Sequence, residues 1–511
     1  MGEVRLVSRR PLRRRTLLLR SSPAVFAAAL LLGGAVPYFA GADRGYLSYL
    51  VLADRTDARG AADARQAVRA VGGQVVQDYP QIGAVLAYAD DRRFAPRLRA
   101  RPGITAVGAT RTAPVPGPPG ALAGAGDFHA TVDLGATGGD AAALAPADST
   151  PTVPDPGERP AWNLAMLGGP AAAQSPAALL AAPGVGRVRD GAQAAALRRV
   201  LVAVLDSGVD DTHPDLREAV SPGDSASCAD GRPDARSGVW RPDDGVVESG
   251  HGTHVAGLIG AARDGRGVVG VAPGVRIAAV RLLGPLGQYY PENIVCGLLW
   301  AADHGAAAIN NSYFADPWKY NCPEDPDQGA VILAVGRAVA YAQRRALVVA
   351  SAGNDAQDLA APRTDERSPN DRTFGPAQDR HLGTECIRLP GELPGVLQVS
   401  AVTRDGAIAA YSNYGAGRIA LAAPGGDPDG GPSGAIVSDW PGGRYAALAG
   451  TSMSAAHVTG AIAVAAALHP GWGPAPLRDL LLAQAGANCP VGQGLCRDRR
   501  GYGAGIVALP H

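Results

Sequence analysis

Aromatic residues make up only 5% of the 511-residue sequence, and arginine carries nearly all the positive charge, Lys319 being the lone lysine. Formal charges cancel, with 47 basic against 47 acidic residues, so the chain-wide basic excess of a nucleic-acid binder is missing. The apolar run near the N-terminus is short for a membrane span, and no later segment reads as long and apolar enough to cross a bilayer. Cysteine is absent before Cys228 and never occurs as C-x-x-C, which leaves a zinc site without ligand-like spacing. Glycine (68) and proline (42) are abundant instead, a composition that fits a loop-rich enzyme better than a helical bundle.

The N-terminus carries an export pattern. Arg9, Arg10, Arg13, Arg14, Arg15 and Arg20 form a basic region, Pro23 to Val36 is apolar, and Ala40-Gly41-Ala42 is a small-residue cleavage signature. The expectation is a signal peptide over 1–42 and a secreted protein; a retained N-terminal anchor is the alternative. In an exported chain, six cysteines read as disulfides. Cys489 and Cys496 are near enough to close a small loop, while Cys228, Cys296, Cys322 and Cys386 allow three pairings.

Residues 43–111 read as a small separate domain. Tyr49 to Leu52 is strand-like, Ala58 to Val71 helical, Gln74 to Tyr79 and Ile82 to Tyr88 a strand pair, Phe94 to Arg101 helical and Ile104 to Val107 a last strand. That order is the ferredoxin-like plan, which by itself implies no function. Residues 112–160, rich in Pro, Gly and Ala, read as an exposed linker. From 161 to 511 apolar strands alternate with helices: Val200 to Leu205, Gly252 to Ala262, Ile277 to Val280, Pro291 to His304, Ala307 to Ser312, Ala330 to Arg344, Leu347 to Ala350, Val396 to Val402 and Ile419 to Ala422. This predicts a three-layer α/β domain with a mainly parallel sheet, whose working residues gather beyond the carboxyl ends of the strands.

Three stretches lie where such residues belong. Asp206 follows the apolar run in Val204-Leu205-Asp206-Ser207-Gly208. His251 opens a helix in Gly250-His251-Gly252-Thr253-His254, and Ser452 stands in Gly450-Thr451-Ser452-Met453-Ser454, ahead of the apolar Ala461 to Leu468. A serine alcohol is a poor nucleophile at neutral pH; a histidine base corrects this, and a buried carboxylate fixes the histidine tautomer. A serine at a helix N-terminus also faces unpaired N–H groups that suit a developing oxyanion. Each stretch has a plainer reading: helix cap, turn residue, or, for His251 with His254, a metal pair. The last lacks the glutamate of H-E-x-x-H.

With His213-Pro214-Asp215-Leu216, Gly270-Val271-Ala272-Pro273, Ser351-Ala352-Gly353-Asn354 and Ala423-Pro424-Gly425, these stretches closely resemble the subtilisin family of serine peptidases over roughly 162–507. The resemblance implies Asp206, His251 and Ser452 as the triad and Asn354 with the Ser452 amide as oxyanion hole. It implies Ser312, Tyr313 and Gly353 as substrate-binding positions, peptide or protein substrates, and the small domain as an inhibitory propeptide. No cofactor is required. Calcium binding is frequent in the family, yet no ligand set can be placed from sequence. Two departures stand out: Ala456 replaces the usual proline after the nucleophile, and Ser312-Tyr313-Phe314 replaces Ser-Leu-Gly, so Tyr313 and Phe314 are expected to reshape the subsites. The reading is a secreted, self-processing serine endopeptidase; a non-catalytic peptide-binding protein on the same fold is the rival.

Overall fold

A computed structural model of the chain describes residues 46–113, 115, 152–153, 161–168, 195–243, 245–246, 249–285, 287–371, 378–488, 496 and 498–509. The expected signal peptide and most of the expected linker lie outside these residues.

The small domain runs β1 (Leu47–Ala53), α1 (Ala58–Ala70), β2 (Gln74–Tyr79), β3 (Ala84–Ala89), α2 (Phe94–Arg99) and β4 (Ile104–Ala109). Its strands order β2-β3-β1-β4 with every neighbour antiparallel, as the ferredoxin-like plan requires. Asp57 starts α1 by accepting from the amides of Arg59 and Gly60. Strand alternation splits β1 between two cores: Tyr49, Val51 and Ala53 face the domain's own helices, while Leu50 and Leu52 face the large domain.

Two linker residues, Thr152–Val153, form β5, which pairs with a later strand. That short pairing departs from a wholly exposed linker. There follow α3 (Trp162–Leu167), β6 (Leu201–Asp206), β7 (Ala226–Ser227), α4 (His251–Gly260), β8 (Arg276–Arg281), α5 (Pro291–Asp303), β9 (Ala308–Asn311), α6 (Pro326–Ala342) and β10 (Leu347–Ser351). A hairpin of β11 (Arg363–Asp365) and β12 (Arg380–Leu382) precedes β13 (Leu397–Val402), β14 (Leu421–Pro424), β15 (Ile436–Trp440), β16 (Arg444–Leu448), α7 (Thr451–Leu468) and α8 (Pro474–Ala487). Proline at the first turn of α5, α6 and α8 costs nothing, because an N–H there has no helical acceptor.

The central sheet has seven parallel strands in the order β14-β13-β10-β9-β6-β8-β7. β6 is buried on both faces, so its residues are apolar without interruption. Val202 and Val204 pack with α4 and α7 on one side; Leu201, Ala203 and Leu205 pack with α5 and α6 on the other. Beyond α5 and α6 lies the small domain, whose Leu50, Leu52, Ile82 and Leu86 join that second core. Each such burial is worth about 1.5–3 kcal/mol.

The chain leaves β6, forms β7 and β8 on one side, then returns to place β9 on the other. The carboxyl ends of β6 and β9 therefore flank a topological switch point, where open α/β sheets bind ligands. Among the described residues α7 is the one helix long and apolar enough to cross a membrane, and most of it is buried in this core.

Candidate active site

Asp206 is the last residue of β6 and is fully buried. Its Oδ1 lies 2.8 Å from His251 Nδ1, at the start of α4, and accepts from the Ser207 amide at 2.7 Å. A carboxylate on Nδ1 fixes the tautomer that leaves Nε2 basic. Ser207 sets the helix against the strand: its hydroxyl accepts from Gly252 N at 2.9 Å and donates to Ser249 O at 2.7 Å. The approach is close enough that a Cβ on Gly252 would meet Gly208 O at 2.4 Å.

Ser452 is the second residue of α7. It and Ser312, just past β9, bind each other reciprocally: Ser452 Oγ donates to Ser312 O at 3.3 Å, and Ser312 Oγ donates to Ser452 O at 3.2 Å. Thus the end of β9 is clamped to the helix N-terminus. Asn354 follows β10, and its Oδ1 accepts from both the amide (3.0 Å) and hydroxyl (2.9 Å) of Thr451. Both contacts fix the Asn354 side chain through its oxygen. Gly353 N donates to Thr451 Oγ1 at 3.0 Å. Its φ of +105° and the Asn413 side chain 2.4 Å from where a Cβ would sit both demand glycine.

The structure thus brings Asp206 to His251, Ser452 to Ser312, and Asn354 to Thr451, the residue before Ser452. The Tyr313 side chain packs inward, in the core beneath α5 and α6. It is 1% exposed, its ring stacks on Tyr289 at 4.8 Å, and its hydroxyl donates to Asn311 Oδ1 at 2.6 Å. Phe314 instead lies beneath the Arg388 guanidinium. Sequence reasoning missed Tyr289, whose hydroxyl reaches Asp206 Oδ1 at 3.4 Å. No local motif marks it, since it depends on the turn before α5.

His254 and His457 are structural. Burial pushes His254 down to about 3 and His457 to about 4, so both are neutral. His254 Nε2 contacts Ile436 O and Ala446 O, both at 3.1 Å, tying α4 to the β15–β16 hairpin. His457 bridges Met453 O and the Asn163 side-chain amide.

The disulfide expectation resolves into Cys228–Cys296 and Cys322–Cys386, and Cys496 is also disulfide-bonded; no described cysteine is free. Two clusters of ligand-type residues occur among the described residues: Cys322, Glu324 and Cys386, where the disulfide occupies both sulfurs, and His213, Asp215 and Asp439. Neither group by itself brings the six to eight oxygens that calcium takes.

The small domain reaches toward this region with its tail. Arg111 is buried against Glu292 of α5 at 2.9 Å, and its guanidinium lies 3.9 Å above the Tyr290 ring. Thr112 and Ala113 donate their amides to Asp371, at 2.7 and 3.2 Å, and Val115 N returns to Tyr46 O at 2.6 Å.

A parallel sheet between two helical layers, with these side chains at the carboxyl ends of its strands, defines a three-layer α/β enzyme fold. Comparison with known proteins narrows this. The model of the Subtilase family matches residues 198–505, and the chain belongs to that family of serine peptidases. It is 32% identical over 282 residues to subtilisin Savinase of Lederbergia lenta, covering 55% of this chain and 81% of that protein. To fervidolysin of Fervidobacterium pennivorans it is 32% identical over 302 residues, covering 55% of this chain but only 36% of that protein. Among solved structures, the epidermin leader peptide processing serine protease of Staphylococcus aureus matches with a TM-score of 0.61, 20% identity, and coverage of 91% of this chain and 97% of that one.

Proposed function

We propose that the protein is a secreted serine endopeptidase that cuts peptide bonds through an acyl-enzyme and is made as a self-processing zymogen. The observation that carries the catalytic reading is the 2.8 Å contact of His251 Nδ1 with the buried Asp206 carboxylate, on a fold that puts Ser452 at a helix N-terminus. Ser452 Oγ attacks the scissile carbonyl while His251 Nε2 takes its proton. Asp206 stabilises the imidazolium, and the proton then goes to the leaving amine. Asn354 Nδ2 and the Ser452 amide donate to the oxyanion, acting on charge that exists only near the transition state. Water attacks the acyl ester with His251 again as base. The backbone at Ser312 and Gly353 lines the substrate, and Tyr313 contributes from below by packing.

Residues 43–111 serve as the inhibitory propeptide, 112–160 as linker and 161–511 as the peptidase domain. Support for inhibition comes from the apolar face docked on α5 and α6 and from the tail held by Glu292 and Asp371. Fluorophosphonate labelling of matured protein tests the catalytic reading. Stoichiometric labelling at Ser452, lost in Ser452→Ala, is expected; an unlabelled, folded protein would leave a peptide-binding role.

A further inference from the structure

The two segments that flank Ser452 meet one buried cation. β9 and β10 are adjacent parallel strands; Ser312 to Phe314 leaves the first, and Gly353 with Asn354 leaves the second. Ser452 bonds to Ser312, while Gly353 and Asn354 bond to Thr451. Arg388 lies against both segments. Its guanidinium is 4.8 Å from the Phe314 ring centre, and its Cζ is 3.2 Å from where a Cβ on Gly353 would sit. Arg388 is fully buried, and an arginine keeps its charge in such surroundings.

The carboxylates beside it are shared with other cations. Asp355, next to Asn354, contacts the Lys319 ammonium and lies 4.0 Å from Arg388 Nη1. Burial pushes the Asp355 carboxyl up, but Lys319 and then Arg388 outweigh this and hold it below the usual range. Glu392 accepts from the Arg388 amide, yet its carboxylate is taken by Arg363 at 2.6 Å, with Arg418 at 3.6 Å. Burial pushes Asp316 up to about 7, so near neutrality it carries only part of a charge. Among these residues Lys319, Arg363, Arg388 and Arg418 therefore outweigh Asp355, Glu392 and Asp316.

With the scissile carbonyl oxygen at Asn354 and the Ser452 amide, the side chain on the acyl side extends between the two flanking segments, toward Arg388. We propose that Arg388 is a specificity-determining residue and that the enzyme cuts after aspartate or glutamate. This rests on the reading of Ser452 as nucleophile. A guanidinium takes a carboxylate through two parallel N–H···O bonds, and its fixed charge rejects lysine or arginine at the same place. Phe314, half-buried against the guanidinium, turns aside to admit the acid. The chain's own linker fits this preference. Between 112 and 158 it offers Asp127, Asp133, Asp140, Asp148, Asp155 and Glu158, and no arginine or lysine.

The test assays matured parent enzyme on internally quenched peptides that differ only in the residue before the scissile bond: Asp, Asn, Glu, Gln, Phe or Arg. Mass spectrometry reads the position of each cut. Asp should exceed Asn, and Glu exceed Gln, by about tenfold or more in kcat/KM, with Arg the poorest. Arg388→Gln should bring the Asp-to-Asn ratio close to unity, a change that mere loosening of the fold does not produce. Arg388→Lys, which keeps the charge, should retain part of the ratio. Should neither variant fold, the acid-to-amide ratios of the parent decide. The proposal is wrong if the parent takes acid and amide equally, if Phe or Arg leads, or if Arg388→Gln keeps the ratio. Fluorophosphonate labelling in parallel separates the two readings. A labelled Ser452 without acid preference overturns this inference alone, whereas a folded, unlabelled protein overturns the peptidase reading beneath it.

Discussion

Thr451 and Asn354 are locked together: one carbonyl oxygen of Asn354 takes both the amide and the hydroxyl proton of Thr451, the residue before Ser452. The contact fixes the orientation of the asparagine side chain beside the helix N-terminus that carries Ser452. Removing one oxyanion donor in subtilisin costs about 10²–10³ in kcat, the magnitude known for that enzyme. Asn354→Ala should lower kcat by that order with KM little changed, since a donor to developing charge barely touches the ground state. Steady-state kinetics on a peptide substrate measures this, and an unaltered kcat in folded protein would remove Asn354 from the role.

Thr451→Val separates orientation from donation. It deletes the hydroxyl that bridges Gly353 N and Asn354 Oδ1 and leaves Asn354 in place. A smaller loss is expected, about tenfold in kcat, because the Thr451 amide still holds the asparagine. A loss as large as that of Asn354→Ala would show that the hydroxyl, not the amide, sets the geometry.

How much of this was legible beforehand differs from element to element. β6 was readable because a strand buried on both faces must be apolar throughout. The site motifs were readable because their chemistry needs particular residues at strand ends. α6 was expected from Ala330, but it starts at Pro326, where Asp325 caps the first turn. The β15–β16 hairpin and α8 went unseen, since their short or weakly periodic patterns take shape through packing. The inward packing of the Tyr313 ring was not readable for a related reason: period alone does not say which face of a strand end turns inward, and its partner Tyr289 is remote in sequence. The two well-described cross-links could not be chosen from three pairings until the fold brought Cys228 to α5 and Cys322 beside the β12 hairpin.

Acid sensitivity follows from the buried histidines. His457 titrates near 6.5 when unfolded and about 4 when folded, and His254 about 3. Above roughly pH 6.5 neither state binds the proton, so there is no penalty. As pH falls, the unfolded chain takes protons that the native state refuses, and stability drops until the folded values are passed, on the order of 3 kcal/mol for each histidine. Urea midpoints of the Ser452→Ala chain between pH 7.5 and about 4 should therefore fall. His457→Gln should show a shallower fall over the same window, and parallel curves for variant and parent would contradict the assignment.

Arg111 offers a handle on latency. Removing one partner of a buried, hydrogen-bonded ion pair costs about 3–5 kcal/mol because the other charge is stranded. In the full chain, Arg111→Ala leaves the Glu292 carboxylate, among the described residues, with the Ser48 hydroxyl at 3.1 Å as its hydrogen-bond donor. Its propeptide should be held more weakly, and activity against a small substrate should appear with a much shorter lag than in the parent. Equal lags would mean that the apolar contacts of Leu50, Leu52, Ile82 and Leu86 alone set the docking.

Self-processing is the sharpest test of the zymogen reading. The tail bonded to Glu292 and Asp371 leads directly into residues 116–160, so the first cut is expected between Arg111 and Trp162, made in cis by Ser452. Ser452→Ala removes the nucleophile with a small change of volume, and the serine's two hydrogen bonds to Ser312 reduce to the one made by its backbone oxygen. The fold should survive. Expressed in a host lacking other proteases, this variant should accumulate as the precursor, while the parent appears as the shorter form with a new N-terminus in that interval. N-terminal mass spectrometry reads both. Trimming of Ser452→Ala to the same end at the same rate would assign activation to an external protease, whereas a trace of parent enzyme added in trans that trims the variant only slowly would place the first cut within one molecule.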